Sequence, residues 1–125
     1  MLRFSQFVIE SPVETEVVVP IAIYLRRPAD ITLNTSQILT DFQAGRLKTH
    51  GAWVPVADLI PTQPTVSQLK VMSMVNFERL ASVLKAPLVL PTADHLFFLI
   101  DGHHRICSEI VNAQKTVFVK VIDNA

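Results

Sequence analysis

Glycine is scarce in this chain: three residues in 125, where average proteins carry roughly 7%. A chain uses glycine where φ must turn positive or another group comes close to the backbone. Gly45, Gly51 and Gly102 therefore each pose a positional question. Cysteine is scarcer still. The lone Cys107 excludes an intramolecular disulfide and any multi-cysteine zinc site, and it fits a reducing compartment. Net charge is missing too, since Lys plus Arg and Asp plus Glu both count 11. That balance argues against a strongly basic nucleic-acid binder. Nor is there a long apolar run. The stretch 17–25, closed by Arg26 and Arg27, is far shorter than the twenty or so residues that span a bilayer. Residues 1–10 lack the apolar run and cleavage site of a secretory signal. A cytoplasmic protein without membrane contact is expected.

What is present is core material. Half of the residues are apolar and 18% are charged, which excludes intrinsic disorder and suits one domain. Phe4, Phe7 and Val8 sit at i, i+3, i+4 and mark a short helix over 2–10. The β-branched run 17–24 reads as a strand, with Pro20 suggesting an edge or a bulge. A helix capped by Asn34, Thr35 or Ser36 should run to about Ala44, with Ile38, Leu39 and Phe42 facing inward. Gly45 then terminates it in the left-handed conformation, and Gly51 marks a turn before Trp53. A strand is expected over 53–59, a turn over 58–61, and helix over 65–85, in two pieces and stopped by Pro87. Short strands at 88–90 and 95–100 flank a turn. A helix carries Ile106, Cys107, Ile110 and Val111 on its buried face, and a last strand covers 116–122. The fold class is α+β, a small mixed sheet flanked by helices. Residues 1–52 are expected to be an N-terminal extension packing on or leading into a core of 53–125, one globular unit in all.

One local pattern carries chemistry. The apolar strand Phe97-Phe98-Leu99-Ile100 runs into Asp101-Gly102-His103-His104-Arg105, and a helix opens at once. The first N–H groups of a helix have no intrahelical acceptor, and the helix dipole favours negative charge beside them. Glycine permits the tight turn and lets a ligand approach where a Cβ would stand. Two imidazoles and a guanidinium at a positive helix end are unfavourable by themselves; a bound phosphate reverses that penalty. Metal ligation by His103 and His104 is the lesser reading, because adjacent positions diverge and i, i+4 is the favoured spacing. No protein-held metal is expected. Cys107 falls on the apolar side of the helix and reads as a buried thiol rather than a nucleophile. Asp101 can cap the helix that follows.

With these residues in place, the segment 101–105, its helix and the terminal strand resemble the hallmark of the ParB/sulfiredoxin-like superfamily. Upstream, Val54-Pro55-Val56-Ala57-Asp58-Leu59-Ile60-Pro61-Thr62-Gln63-Pro64 is similar to the first strand and proline-glutamine turn of ParB N-terminal domains. Lys70-Val71-Met72-Ser73 resembles the Lys-Val-x-Ser helix of sulfiredoxins. The resemblance covers about residues 53–122. It implies that His104 and Arg105 hold nucleotide phosphates, with Gly102, Lys70, Ser73 and Gln63 completing the binding set. His103 stands at the position of the sulfiredoxin cysteine, so sulfinic-acid reduction is not expected. Of the ParB Gly-Glu-Arg-Arg box that holds a CTP triphosphate, only Gly102 and Arg105 match. Thr65 replaces the arginine that follows Gln-Pro in that family. The chain ends at Ala125 without a downstream helix-turn-helix, so a partition-complex role is not expected.

Relatives with a similar motif include free-serine kinases and ParB-like nucleases. The resemblance therefore implies phosphate chemistry with Asp101, His103, His104 and Arg105 as catalytic candidates, and Mg²⁺ arriving with a bound nucleotide. A nucleotide of the ATP or CTP class is the first expectation. A nuclease or DNA-binding module is the second, and a non-catalytic protein-interaction domain that keeps the fold is the third. Small single-domain members occur in phages. The opening Phe4-Ser5-Gln6-Phe7-Val8-Ile9-Glu10 is similar to the starts of phage proteins, which would place the protein in a host cytoplasm.

Overall fold

The strand Thr116–Ile122 shows how this sequence makes a sheet. Val117, Val119 and Val121 are buried, while Phe118 and Lys120 alternate with them on the other face, the period of two that a strand imposes. The computed structural model describes residues 17–26, 28, 33–75 and 86–123. Along them run β1 (Val18–Pro20), α1 (Thr35–Gln43), β2 (Thr49–Pro55), β3 (Leu59–Pro61), β4 (Thr65–Ser67), α2 (Gln68–Val75), β5 (Leu88–Pro91), β6 (Phe97–Asp101), α3 (His103–Val111) and β7 (Thr116–Ile122). Five strands form a mixed sheet in the order β2-β7-β5-β6-β3, and β1 pairs with β4 in a small second sheet. The β2/β7 and β5/β6 pairs are antiparallel; β5/β7 and β3/β6 are parallel. The fold is α+β, as the sequence implies.

Both faces of the large sheet are covered. Val54, Leu59, Val89, Leu99, Val117, Val119 and Val121 pack with Ile106 of α3 on one face. Leu88, Ile100 and Ile122 receive Ile38, Leu39 and Phe42 of α1 on the other. A third cluster joins Ile21, Val66, Val71 and Cys107, tying the small sheet and α2 to the back of α3. Ile106 is fully buried, so trimming it to Ala would cost about 2–5 kcal/mol. Helix α3 is thus wedged between the sheet on one side and β4 with α2 on the other.

Helix α1 follows its local signals closely. The Asn34 side chain accepts the Gln37 N–H at 3.0 Å. At the other end Gly45, at φ +77°, donates to Phe42 O and Arg46 donates to Asp41 O, the paired bonds of a Schellman ending.

Several expectations need correction. The strand over 17–24 stops at Pro20, and Ile21–Ile23 forms a single 3-10 turn. Pairing ends there because the partner strand begins after Pro64, which has no N–H to give; Ile21 N–H bonds to Pro64 O at 2.9 Å instead. Gly51 lies within β2, not in a turn: a Cβ there would stand 2.4 Å from the Phe118 ring. The strand over 53–59 is interrupted by a 3-10 turn at Val56–Asp58, and 59–61, expected as a turn, is strand β3 alongside β6. Residues 65–67 are strand rather than helix, since their pairing with β1 outweighs helical periodicity. Val111 is 41% exposed while Ser108 and Glu109 are buried, because α3 is enclosed from two sides. The position 52/53 lies in the middle of β2, which pairs with β7 along its whole length. The expected helix over 2–10 and the second helical piece over 76–85 lie outside the described residues.

Candidate functional site

The end of β6 and the start of α3 build the site. Asp101 is the last, exposed residue of β6. Gly102 follows as the N-cap of α3 at φ 98°, ψ 24°, a residue with no side chain to cap the helix. That backbone conformation favours glycine strongly. The space where a Cβ would stand is taken by Pro87, whose own Cβ would be 2.7 Å away. The expected use of that space, the approach of a ligand, is therefore corrected: it serves the packing of α3 against the segment before β5. Lys120 N–H holds that segment by donating to Pro87 O at 2.8 Å.

The two histidines turn inward as clamps. His103 is 4% exposed, and its Nε2 accepts the Thr62 N–H at 3.0 Å. The Thr62 hydroxyl in turn donates to Leu99 O at 2.5 Å. Burial, reinforced by the neighbouring His104, lowers the His103 pKa from 6.5 to about 4. At neutral pH its ring is uncharged with the proton on Nδ1, since Nε2 acts as an acceptor. His104 uses its Nε2 likewise, accepting the Ser67 N–H at 3.0 Å, and Ser67 Oγ accepts the Lys70 N–H at 3.2 Å at the start of α2. Consecutive positions on α3 thus hold both ends of segment 62–67, the turn between β3 and β4 and the hand-over into α2.

Around these clamps lies a cleft of about 350 Å³, lined by Gln63, Met74 and the run Asp101, Gly102, His103, His104, Arg105. Gln63 is oriented by donating from Nε2 to Thr65 O at 2.8 Å. Arg105 is 6% exposed and is part of the cleft's lining. The structure therefore gathers six of the eight residues expected at the site. Lys70 and Ser73 are on the exposed side of α2 and do not line the cleft; the Ser73 hydroxyl donates to Leu69 O within its own helix. Met74, Thr62, Ser67 and Pro87 were not anticipated. Their roles depend on contacts across 15 to 41 residues of sequence, which local pattern does not encode.

Cys107 is fully buried, and desolvation raises its pKa from 9.0 to about 12, so the thiol stays protonated and inert, as its place on the helix suggests. Among the described residues no group of three or more His, Cys, Asp or Glu is placed to hold a metal ion. Among the same residues no helix is long and apolar enough to cross a membrane. No family model and no curated protein matches this chain.

Proposed function

We propose that the protein is a nucleotide-phosphate-binding protein of ParB/sulfiredoxin-like type, and that the cleft at the start of α3 receives the phosphates. The observation that carries this reading is the convergence of Gln63, Gly102 and Arg105 on one 350 Å³ cleft at the positive end of a helix. An anion there meets the helix dipole. Arg105, in the lining of the cleft, adds a fixed positive charge beside it. Gln63 supplies a neutral polar contact at the rim. Mg²⁺ would come bound to the nucleotide rather than in a protein cage, and the cytoplasm is the compartment where such ligands abound.

The histidine geometry favours binding over acid–base catalysis. A general base needs a lone pair directed at substrate, and the Nε2 lone pair of each ring accepts a backbone N–H. His103 and His104 then act as positioning residues that shape the cleft, and Arg105 carries the charge recognition. Hydrolysis or transfer of phosphate, nucleic-acid binding and protein interaction are the competing readings that one experiment separates.

The test is calorimetric titration of the protein with ATP, CTP, ADP and short single- and double-stranded DNA, with and without Mg²⁺, followed by chromatography for products. Saturable nucleotide binding without turnover is expected. Gln63→Ala should weaken it by about 5–10-fold, the worth of one hydrogen bond. Arg105→Gln, checked for folding by circular dichroism, removes the positive charge and should weaken it by tenfold or more. Turnover would convert the reading to a hydrolase or phosphotransferase. Binding of DNA alone would favour the nucleic-acid module, and binding of neither would refute the proposal.

A further inference from the structure

A larger groove, of about 610 Å³, lies at the opposite end of α3. The 3-10 corner after β2 and the segment that follows the Ile21–Ile23 turn form its walls, and the C-terminal turn of α3 closes it. Its apolar surface comes from Tyr24, Leu25, Val56 and Ile110. Leu25, Val56 and Ile110 are partly buried and pack against the main core. The floor is therefore built into the fold rather than being a loose surface patch. Its size falls within the few hundred to 1,000 Å³ usual for small-molecule sites.

Two cations, Arg26 and Lys115, stand in this lining, and no described lining residue is Asp or Glu. Both are exposed at its rim. Arg26 is held in place because its Nη2 donates to Ala57 O across the groove, so less side-chain freedom remains to be lost on binding. Lys115 is fixed through its backbone, whose carbonyl accepts the Val56 N–H at 2.9 Å. A helix C-terminus ordinarily repels an anion. Here three of the last carbonyls of α3 are already engaged, since Asn112 donates to Ser108 O, Ala113 to Ile110 O and Gln114 to Glu109 O. An apolar floor with two cations at its mouth is complementary to one kind of ligand. We infer that this groove binds an amphipathic organic carboxylate, its carbon body on Leu25, Val56 and Ile110 and its carboxylate between Arg26 and Lys115. This site is independent of the phosphate cleft.

Decanoate, decanol and decyltrimethylammonium, each below its micelle concentration, test the inference on the full chain by ¹H–¹⁵N NMR and calorimetry. Decanoate should bind saturably, shifting the amides of Val56, Ile110 and Lys115. Octanoate should bind several-fold more weakly, since each methylene removed from an apolar site weakens binding by up to about fourfold. Decanol should be weaker by about tenfold and the cation weaker still, because each exposed charge pair is worth up to about fivefold. Raising the salt to about 0.5 M should narrow the difference between decanoate and decanol. The double variant Arg26→Gln, Lys115→Gln alters only exposed side chains; it should lose the carboxylate preference and keep decanol binding. Equal binding of the three probes, shifts confined to other residues, or the absence of saturable decanoate binding would each overturn it.

Discussion

His103 offers a measurement of how the site is held together. Its imidazole is buried against segment 62–67 and accepts the Thr62 N–H. The folded protein binds a proton there only below a pH of about 4, whereas the unfolded chain takes one below about 6.5. Between those values the unfolded state holds more protons, so stability falls as the pH is lowered. Above pH 6.5 the contribution is fully present; it is lost progressively on the way down to about 4. A displacement of that size corresponds to about 3 kcal/mol, a large fraction of the 5–15 kcal/mol that stabilises a typical domain.

His103→Gln retains an acceptor in reach of Thr62 but cannot titrate. Every other group is common to both proteins, so the informative quantity is the difference between wild type and variant. Urea unfolding of both proteins at intervals from pH 7.5 to 4 would supply it. The stability gap should move in favour of the variant by about 3 kcal/mol across that interval. At pH 7.5 the variant is expected to be less stable by about 1–2 kcal/mol, the imperfect fit of an amide for a ring. Parallel curves from pH 7.5 to 4 would refute the argument, since they would mean that the ring is protonated as readily in the fold as in the open chain.

Two further outcomes follow from the packing. Gly102→Ala should destabilise the fold by about 2–5 kcal/mol in chemical denaturation, combining a left-handed backbone with overlap on Pro87. Gly45→Ala has positive φ but open space around it and should lose only about 1 kcal/mol; equal losses would mean that Pro87 plays no part. Cys107, buried and with its pKa raised to about 12, should resist a thiol-reactive disulfide reagent at pH 8 and react fully in urea. Complete labelling of the native protein within seconds would contradict that placement.

Much of the scaffold was legible because its signals are local. Asn34 at the start of α1, Gly45 at its end and the stripe of Ile38, Leu39 and Phe42 depend on residues within a few positions of one another. So does the alternation that makes β7. The turn at Gly102 was equally visible, as a strand running into Asp-Gly before a helix. Tertiary structure decided how those residues are used. Pro87, fifteen positions upstream, occupies the space at Gly102, and Thr62 and Ser67 engage the lone pairs of His103 and His104. It also made strands of 59–61 and 65–67, which acquire partners only when β6 and β1 arrive beside them. Capping and periodicity are properties of a short window of chain. A histidine's role depends on which distant N–H meets its ring, and that is known only once the chain has folded.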